Sequence, residues 1–171
     1  MGFSPVPRYA FRDATDISPG FLSKLGIRFL MLDLDNTIAT YKEHSPADDI
    51  AQWAVEMQNC GVELYIVSNS TRKNRVEVFA ETLGIDYIKG ARKPSPNSIL
   101  TVMEAKGVSA GESALVGDQI FTDAIAANSA GIISMVVRPR RLSNPILAIR
   151  YAIESPFRAK CRNNISSPSA L

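Results

Sequence analysis

Between residues 27 and 137 short apolar runs alternate with segments whose apolar residues recur every three or four positions. The first run, IRFLMLDL (27–34), is apolar almost throughout, as expected of a parallel strand covered on both faces. VELYIV (62–67), IDYIK (85–89), SALVG (113–117) and IISMVV (132–137) read as four more strands. SPADDIAQWAVEMQNCG (45–61) reads as a helix. Ser45 is its expected N-cap, Pro46 its first residue, Asp48 and Asp49 lie in its first turn, and Gly61 follows its end. TRKNRVEVFAETLG (71–84) sets Val76, Phe79, Ala80 and Leu83 at helical spacing and stops at Gly84. SPNSILTVMEAKG (95–107) repeats the Ser-Pro start and the Gly stop. A short helix is expected over 121–130, and a last one over roughly 143–155 after RPRRLSNP.

This alternation predicts an α/β, three-layer, Rossmann-like fold: a five-stranded parallel sheet, right-handed crossovers and helices on both faces. The 171 residues suit one domain with a real core. We place that domain at 1–155, followed by a basic, flexible tail over 156–171. At 46% hydrophobic and 21% charged, the composition is that of a soluble globular protein. No apolar run approaches the roughly 20 residues that span a bilayer. MGFSPVPRYAF lacks a secretory leader pattern, and Val6 spoils an N-myristoylation match. Cys60, at a helix end, is expected to be a small buried residue, and Cys161 to lie in the polar tail. Neither suggests a disulfide, which fits a cytoplasmic, reducing compartment. His44 is the single histidine, which argues against His-based zinc sites and Ser-His-Asp triads. Residues 1–137 carry a net charge of −4 and residues 138–171 one of +6, so the tail faces an anionic partner if it faces any.

Ligands of open parallel sheets bind at the carboxyl ends of strands, so polar residues there are the candidates. They are Asp33 and Asp35 after the first strand, Ser68 and Asn69 after the second, Lys93 after the third, and Gly117 with Asp118 after the fourth. Asp123 stands five residues beyond Asp118. Each motif has an ordinary reading: DLDNT as a capped turn, VSNS as a strand-to-helix turn, ARKP as a solvated lysine before a helix. Together they describe phosphoryl transfer. Clustered carboxylates repel unless a cation sits among them, and an all-oxygen site suits Mg²⁺. Lys93 and Ser68 can balance a phosphate, one carboxylate can attack phosphorus, and another can move the proton.

DLDNT, VSNS, KP and GDQIFTD resemble, in order, the four motifs of the haloacid dehalogenase (HAD) superfamily of phosphatases. With the Trp-containing helix after DLDNT and with A-x-KP, the likeness narrows to the YqeG-type subgroup of class IIIA, over roughly residues 8–140. That subgroup is similar to phosphatidylglycerophosphate phosphatases of mitochondria and plastids. The resemblance implies Asp33 as nucleophile and Mg²⁺ ligand. It implies Asp35 as general acid/base whose backbone carbonyl also reaches the metal, and Thr37 as loop support. Ser68 and Asn69 would bind phosphate, Lys93 would neutralise it, Asp118 would bind Mg²⁺, and Asp123 would complete or orient the metal shell.

Neither Asp35–Ser68 nor Ser68–Lys93 is long enough for a cap domain, so an open site is expected, as in relatives that act on macromolecular or membrane-borne phosphates. The basic, apolar C-terminal segment suits peripheral contact with anionic lipid at the inner face of a membrane, or a last helix packed on the sheet. The phosphorylated substrate implied is a phospholipid headgroup such as phosphatidylglycerophosphate. Alternatives are an uncapped phosphatase for nucleotide, nucleic-acid-end or sugar phosphates, and a non-enzymatic phosphate-binding scaffold. Nucleic acid is not favoured, because the tail lacks an aromatic stacking platform. Oligomeric state is left open.

Overall fold

The computed structural model describes residues 4–142, 145–161 and 163–164. Its strands are β1 (Tyr9–Ala10), β2 (Phe29–Leu32), β3 (Glu63–Ser68), β4 (Asp86–Lys89), β5 (Ser113–Gly117), β6 (Ile133–Val136) and β7 (Asn163–Asn164). They form one parallel sheet in the order β4-β3-β2-β5-β6-β1-β7. The five expected strands are β2 to β6. The count of five is corrected to seven by the two-residue strands β1 and β7. These are too short to leave a hydrophobic run in the sequence and exist only by pairing, β1 with β6 and β7 with β1.

Every residue of β2 is fully buried, because β3 and β5 flank it and both its faces are covered. Leu30 and Leu32 join Trp53 and Met57 of α2 (Asp48–Asn59) and Val76 and Phe79 of α3 (Arg75–Leu83) in one core. Phe29 and Met31 point the other way, toward Ile99 and Val102 of α4 (Asn97–Lys106) and Ala126 of α5 (Ile125–Ala130). Alternate side chains of a strand thus enter separate layers, and each fully buried large apolar side chain contributes roughly 1.5–3 kcal/mol. A short α1 (Pro19–Lys24) closes the first layer with Phe21 and Leu22, and the Trp53 indole N–H donates to the Ile17 carbonyl at 2.8 Å.

Several local expectations change. Helix α2 starts at Asp48, with Ala47 as N-cap and no side-chain capping bond, so Ser45 is not its cap. The loop before it is fastened by Arg75 instead, and Asp48 and Asp49 supply negative charge at the helix's positive end. The segment expected as a helix over 121–130 opens with a π-helical turn, Ile120–Ala124, before α5. The two cysteines exchange environments: Cys60 is exposed at the end of α2, while Cys161 is buried with Ala10, Ile120 and Val136. The last helix, α6 (Pro145–Ala159), crosses position 155 and packs Phe157 against Phe121. The remainder of the expected tail, residues 162 and 165–171, lies outside the described residues.

Strand order reverses between β2 and β5. One half of the sheet continues from β2 to β3 and β4, the other from β5 to β6. The carboxyl ends of these two strands border the crevice where ligands of such sheets bind. Among the described residues, only a loop and α2 separate β2 from β3, and only a turn and α3 separate β3 from β4. Among the described residues, no cap domain covers the crevice.

Candidate active site

β2 delivers Asp33 to the crevice, where its backbone N–H still bonds the Val116 carbonyl of β5 at 2.8 Å. The chain then folds back tightly. The Leu34 carbonyl receives the N–H groups of Thr37, Ile38 and Ala39, and Asn36 takes a left-handed φ of 65° to permit it. This turn sets the Thr37 hydroxyl 3.2 Å from Asp33 Oδ2, to which it donates.

β3 ends at Ser68, whose buried hydroxyl accepts the Ser70 N–H at 3.0 Å. Asn69 follows Ser68 at the strand exit. Its side-chain amide donates to the Lys93 carbonyl at 2.9 Å and accepts the Lys93 N–H at 2.8 Å. Its side chain is therefore a clamp on Lys93. Thus held, Lys93 Nζ lies 2.7 Å from each of Asp33 Oδ1, Asp123 Oδ1 and the Val67 carbonyl. Asp33 and the Val67 carbonyl accept hydrogen bonds from the ammonium, while Asp123 Oδ1 is its ion-pair partner.

β5 ends at Gly117, and Asp118 follows. The π-helical turn carries Asp123 back over the strand, where its Oδ2 accepts the Gln119 N–H at 3.1 Å. The fit requires glycine at 117: a Cβ there would lie 2.3 Å from Asp123 Cγ. Carboxylate oxygens of Asp33, Asp118 and Asp123 lie within 4.8 Å of one another, all buried. Asp35 stands apart from that cluster, with its Oδ1 accepting from Arg75 Nε at 2.9 Å.

The electrostatics follow from three buried carboxylates sharing one buried ammonium. Burial pushes the Asp33 carboxyl up to about 6, against the opposing pull of Lys93, and the charges of Asp123 and Asp35 add to the rise. Asp118 is held well above the ordinary carboxylate range by burial first, then by Asp33 and Asp123. Burial opposes the charge of Lys93, but Asp123 and Asp33 outweigh it and raise its pKa. Asp118 Oδ1 is buried with no hydrogen-bond partner. An unpartnered carboxylate oxygen amid surplus negative charge is a fitting donor for a hard divalent cation. The cluster opens into a cavity of about 340 Å³, which also touches Asp35, Tyr41, Ser68 and Arg150.

The structure thus joins Asp33, Thr37, Ser68, Lys93, Asp118 and Asp123 in one place and sets Asp35 on its wall. Arg75 has no place among the candidates of the sequence, and Arg150 and Arg158 count there only as cations of the C-terminal segment. Arg75 had a signal, since it shares the buried stripe of Phe79 and Leu83 at four-residue spacing, where an arginine needs a partner. Arg158 had none: it donates to the Val137 carbonyl at 2.9 Å and to the Asp118 carbonyl, contacts that depend on where α6 docks.

A family model for haloacid dehalogenase-like hydrolases matches residues 11–131. The chain belongs to that family. It is 30% identical over 134 residues to "Probable phosphatase YqeG" of Bacillus subtilis (strain 168), covering 78% of this chain and 77% of the relative. Among solved structures it is similar to the cobalt-bound deoxy-D-mannose-octulosonate 8-phosphate phosphatase of Haemophilus influenzae. That match has a TM-score of 0.58 at 17% identity, over 84% of this chain and 81% of that one. A second is the 3-deoxy-D-manno-octulosonate 8-phosphate phosphatase of Moraxella catarrhalis, in complex with a magnesium ion, phosphate and the sugar. There the TM-score is 0.53 at 18% identity, over 84% and 79% of the two chains. At those identities the likeness is one of fold. The protein is a haloacid dehalogenase-type phosphatase of the YqeG kind, a phosphomonoester hydrolase.

Proposed function

We propose that this phosphatase is Mg²⁺-dependent, works through an aspartyl-phosphate on Asp33, and acts on a phosphomonoester of a membrane phospholipid such as phosphatidylglycerophosphate. The observation that carries the chemistry is the Asp33–Asp118–Asp123 cluster joined to Lys93 at the strand-order reversal. Asp33 and Asp118, with the backbone carbonyl of Asp35 and with Asp123 orienting them, would hold Mg²⁺, which neutralises phosphoryl oxygens and polarises phosphorus. Thr37 and Lys93 aim the Asp33 carboxylate, and Lys93 with the Ser68 hydroxyl receives the phosphoryl oxygens. Asp33 forms a bond to phosphorus as the bond to the leaving alcohol oxygen breaks, and Asp35 gives that oxygen its proton. Asp35, now ionised, takes a proton from water as the water oxygen attacks phosphorus. Asp33 is released with inorganic phosphate.

The lipid reading rests on α6. Ile146, Ile149 and Ile153 on its outer face are exposed at 72%, 60% and 58%. Arg150, between them, lines the catalytic cavity and donates to Gln119 Oε1. An uncapped cavity therefore opens beside an apolar row with a cation at its rim, as suits docking on anionic lipid at the inner face of a membrane. No helix among the described residues is long and apolar enough to cross a membrane.

The test is phosphate release from lipid, nucleotide and sugar phosphates, with Mg²⁺ or with EDTA. Expected are metal-dependent turnover, a preference for phosphatidylglycerophosphate in vesicles over soluble esters, and a loss of at least ~10³-fold in Asp33→Asn. Full activity of Asp33→Asn would end the nucleophile assignment, and equal turnover of soluble esters would end the lipid one.

A further inference from the structure

Arg75 opens α3 with its side chain 7% exposed, an unusual place for a guanidinium. Its carboxylate partner is Asp35, through Nε to Oδ1 at 2.9 Å. Its two other nitrogens donate to backbone carbonyls of a single loop, Nη2 to Thr40 at 2.8 Å and Nη1 to Glu43. The guanidinium carbon sits 5.2 Å from the centre of the Phe79 ring, which closes its remaining face. Arg72 grips the same loop: it donates to the Tyr41 carbonyl at 3.1 Å and lies over the Tyr41 ring. The loop is itself closed as a turn, with the Thr40 N–H on Glu43 Oε2 at 2.6 Å and the Glu43 N–H on the Thr40 carbonyl at 3.2 Å. Asp35 and Tyr41 both wall the catalytic cavity.

We propose that Arg75 is a positioning residue for proton transfer, fixing the side chain of Asp35 and the 40–43 loop as one rigid unit at the mouth of the site. The inference rests on the reading of Asp35 as the acid that protonates the leaving oxygen. By holding Oδ1, Arg75 leaves Oδ2 as the oxygen free to face the substrate. A carboxylate on a short, rotatable side chain would otherwise spend much of its time turned from the reacting oxygen, and such misplacement is costly. The planar guanidinium suits the task because its donors fan outward in fixed directions, toward one carboxylate and two carbonyls at once. A lysine could keep the ion pair, but not the loop as well.

The experiment compares kcat/KM on two soluble esters, 4-nitrophenyl phosphate and an alkyl phosphate, for wild type, Arg75→Met, Arg75→Lys and Asp35→Asn. This parameter reports the step in which the alcohol leaves, and only the alkyl alcohol needs a proton to leave. Arg75→Met is expected to lose about 10²-fold on the alkyl ester and only a few-fold on the aryl one, with Arg75→Lys in between. Because Arg75 acts through Asp35, the Asp35→Asn/Arg75→Met double variant should be no slower on the alkyl ester than Asp35→Asn alone. Equal losses on both esters, or additive losses in the double variant, would reduce Arg75 to a structural residue and overturn the proposal. If Arg75→Met fails to fold, as judged by circular dichroism, the ester ratio of Arg75→Lys decides. An Asp35→Asn variant with the wild-type ester ratio would instead remove Asp35 as the acid, and the mechanism and this inference would fall together. A shifted ratio in Asp35→Asn with none in the Arg75 variants would sink this inference alone.

Discussion

Gly117 and Asp123 limit each other atom by atom. A methyl group at 117 would lie 2.3 Å from Asp123 Oδ2, so the carboxylate must turn away from Lys93 if the strand is to stay. Gly117→Ala is expected to cost about 10²-fold in kcat/KM or more while its circular dichroism spectrum stays that of the wild type. An unimpaired variant would show that Asp123 can be misplaced at no cost to the reaction. Asp33 predicts a pH dependence. Its carboxyl titrates at about 6 in the metal-free fold against an ordinary 3.8, so between those values the folded protein holds more protons than the unfolded chain. Stability from this group is therefore greatest below pH 4 and falls as the pH rises through 6. Asp118 shifts in the same direction. A bound cation replaces those protons, so Mg²⁺ affinity should rise between pH 5 and pH 7. Calorimetric titration at the two pH values checks this, and a constant affinity would contradict it.

Helix α6 has two faces with different work. Inward, Glu154 is 1% exposed and accepts the Phe121 N–H at 3.2 Å, at the π-helical turn that carries Asp123. Arg158 holds the carbonyls of Val137 and Asp118. The segment that looked like a basic tail thus reaches the backbone of Asp118, a proposed metal ligand. Glu154→Ala leaves Arg158 without its ion-pair partner and should cost about 3 kcal/mol in urea unfolding, with activity falling on every ester. The outward row is separable. Replacing Ile146, Ile149 and Ile153 together by Ser should lower sedimentation with anionic vesicles about tenfold or more while leaving turnover of 4-nitrophenyl phosphate unchanged. Undiminished vesicle binding would assign membrane contact to another surface.

At the scale of the molecule, the site joins residues from β2, β3, the loop beyond β4, β5 and α6, all at the carboxyl end of the sheet. Its concentrated negative charge works against the fold until a cation arrives. Mg²⁺ at about a hundred times its dissociation constant should stabilise the protein by about 2.7 kcal/mol. For a domain of this size that is a rise of about 5–10 °C in Tm, reversed by EDTA in a melting curve. No shift on adding Mg²⁺ would mean that the acidic cluster does not hold it.

Much of this architecture was legible in the chain because its signals are local. Apolar runs located β2 to β6, and Gly84 and Gly107 marked the ends of α3 and α4 with the left-handed backbone that glycine favours. Polar residues at successive strand exits named Asp33, Ser68, Lys93 and Asp118 as candidates. β1 and β7 escaped because two residues carry no periodicity, and the turn before α5 because a π-helical turn has no hydrophobic pattern of its own. The partners also escaped. Asn69 and Lys93, 24 residues apart, meet only once β3 and β4 pair, and Arg75 and Asp35, 40 apart, only once β2 and β3 pair. Sequence alone determined the elements and which of them end in chemistry, since those follow from side-chain periodicity and turn residues. Only the tertiary structure decided which carboxylate faces the lysine, which faces the arginine, and that the last helix belongs to the site. Strand order and docking bring those groups together, and neither is written in any short stretch of chain.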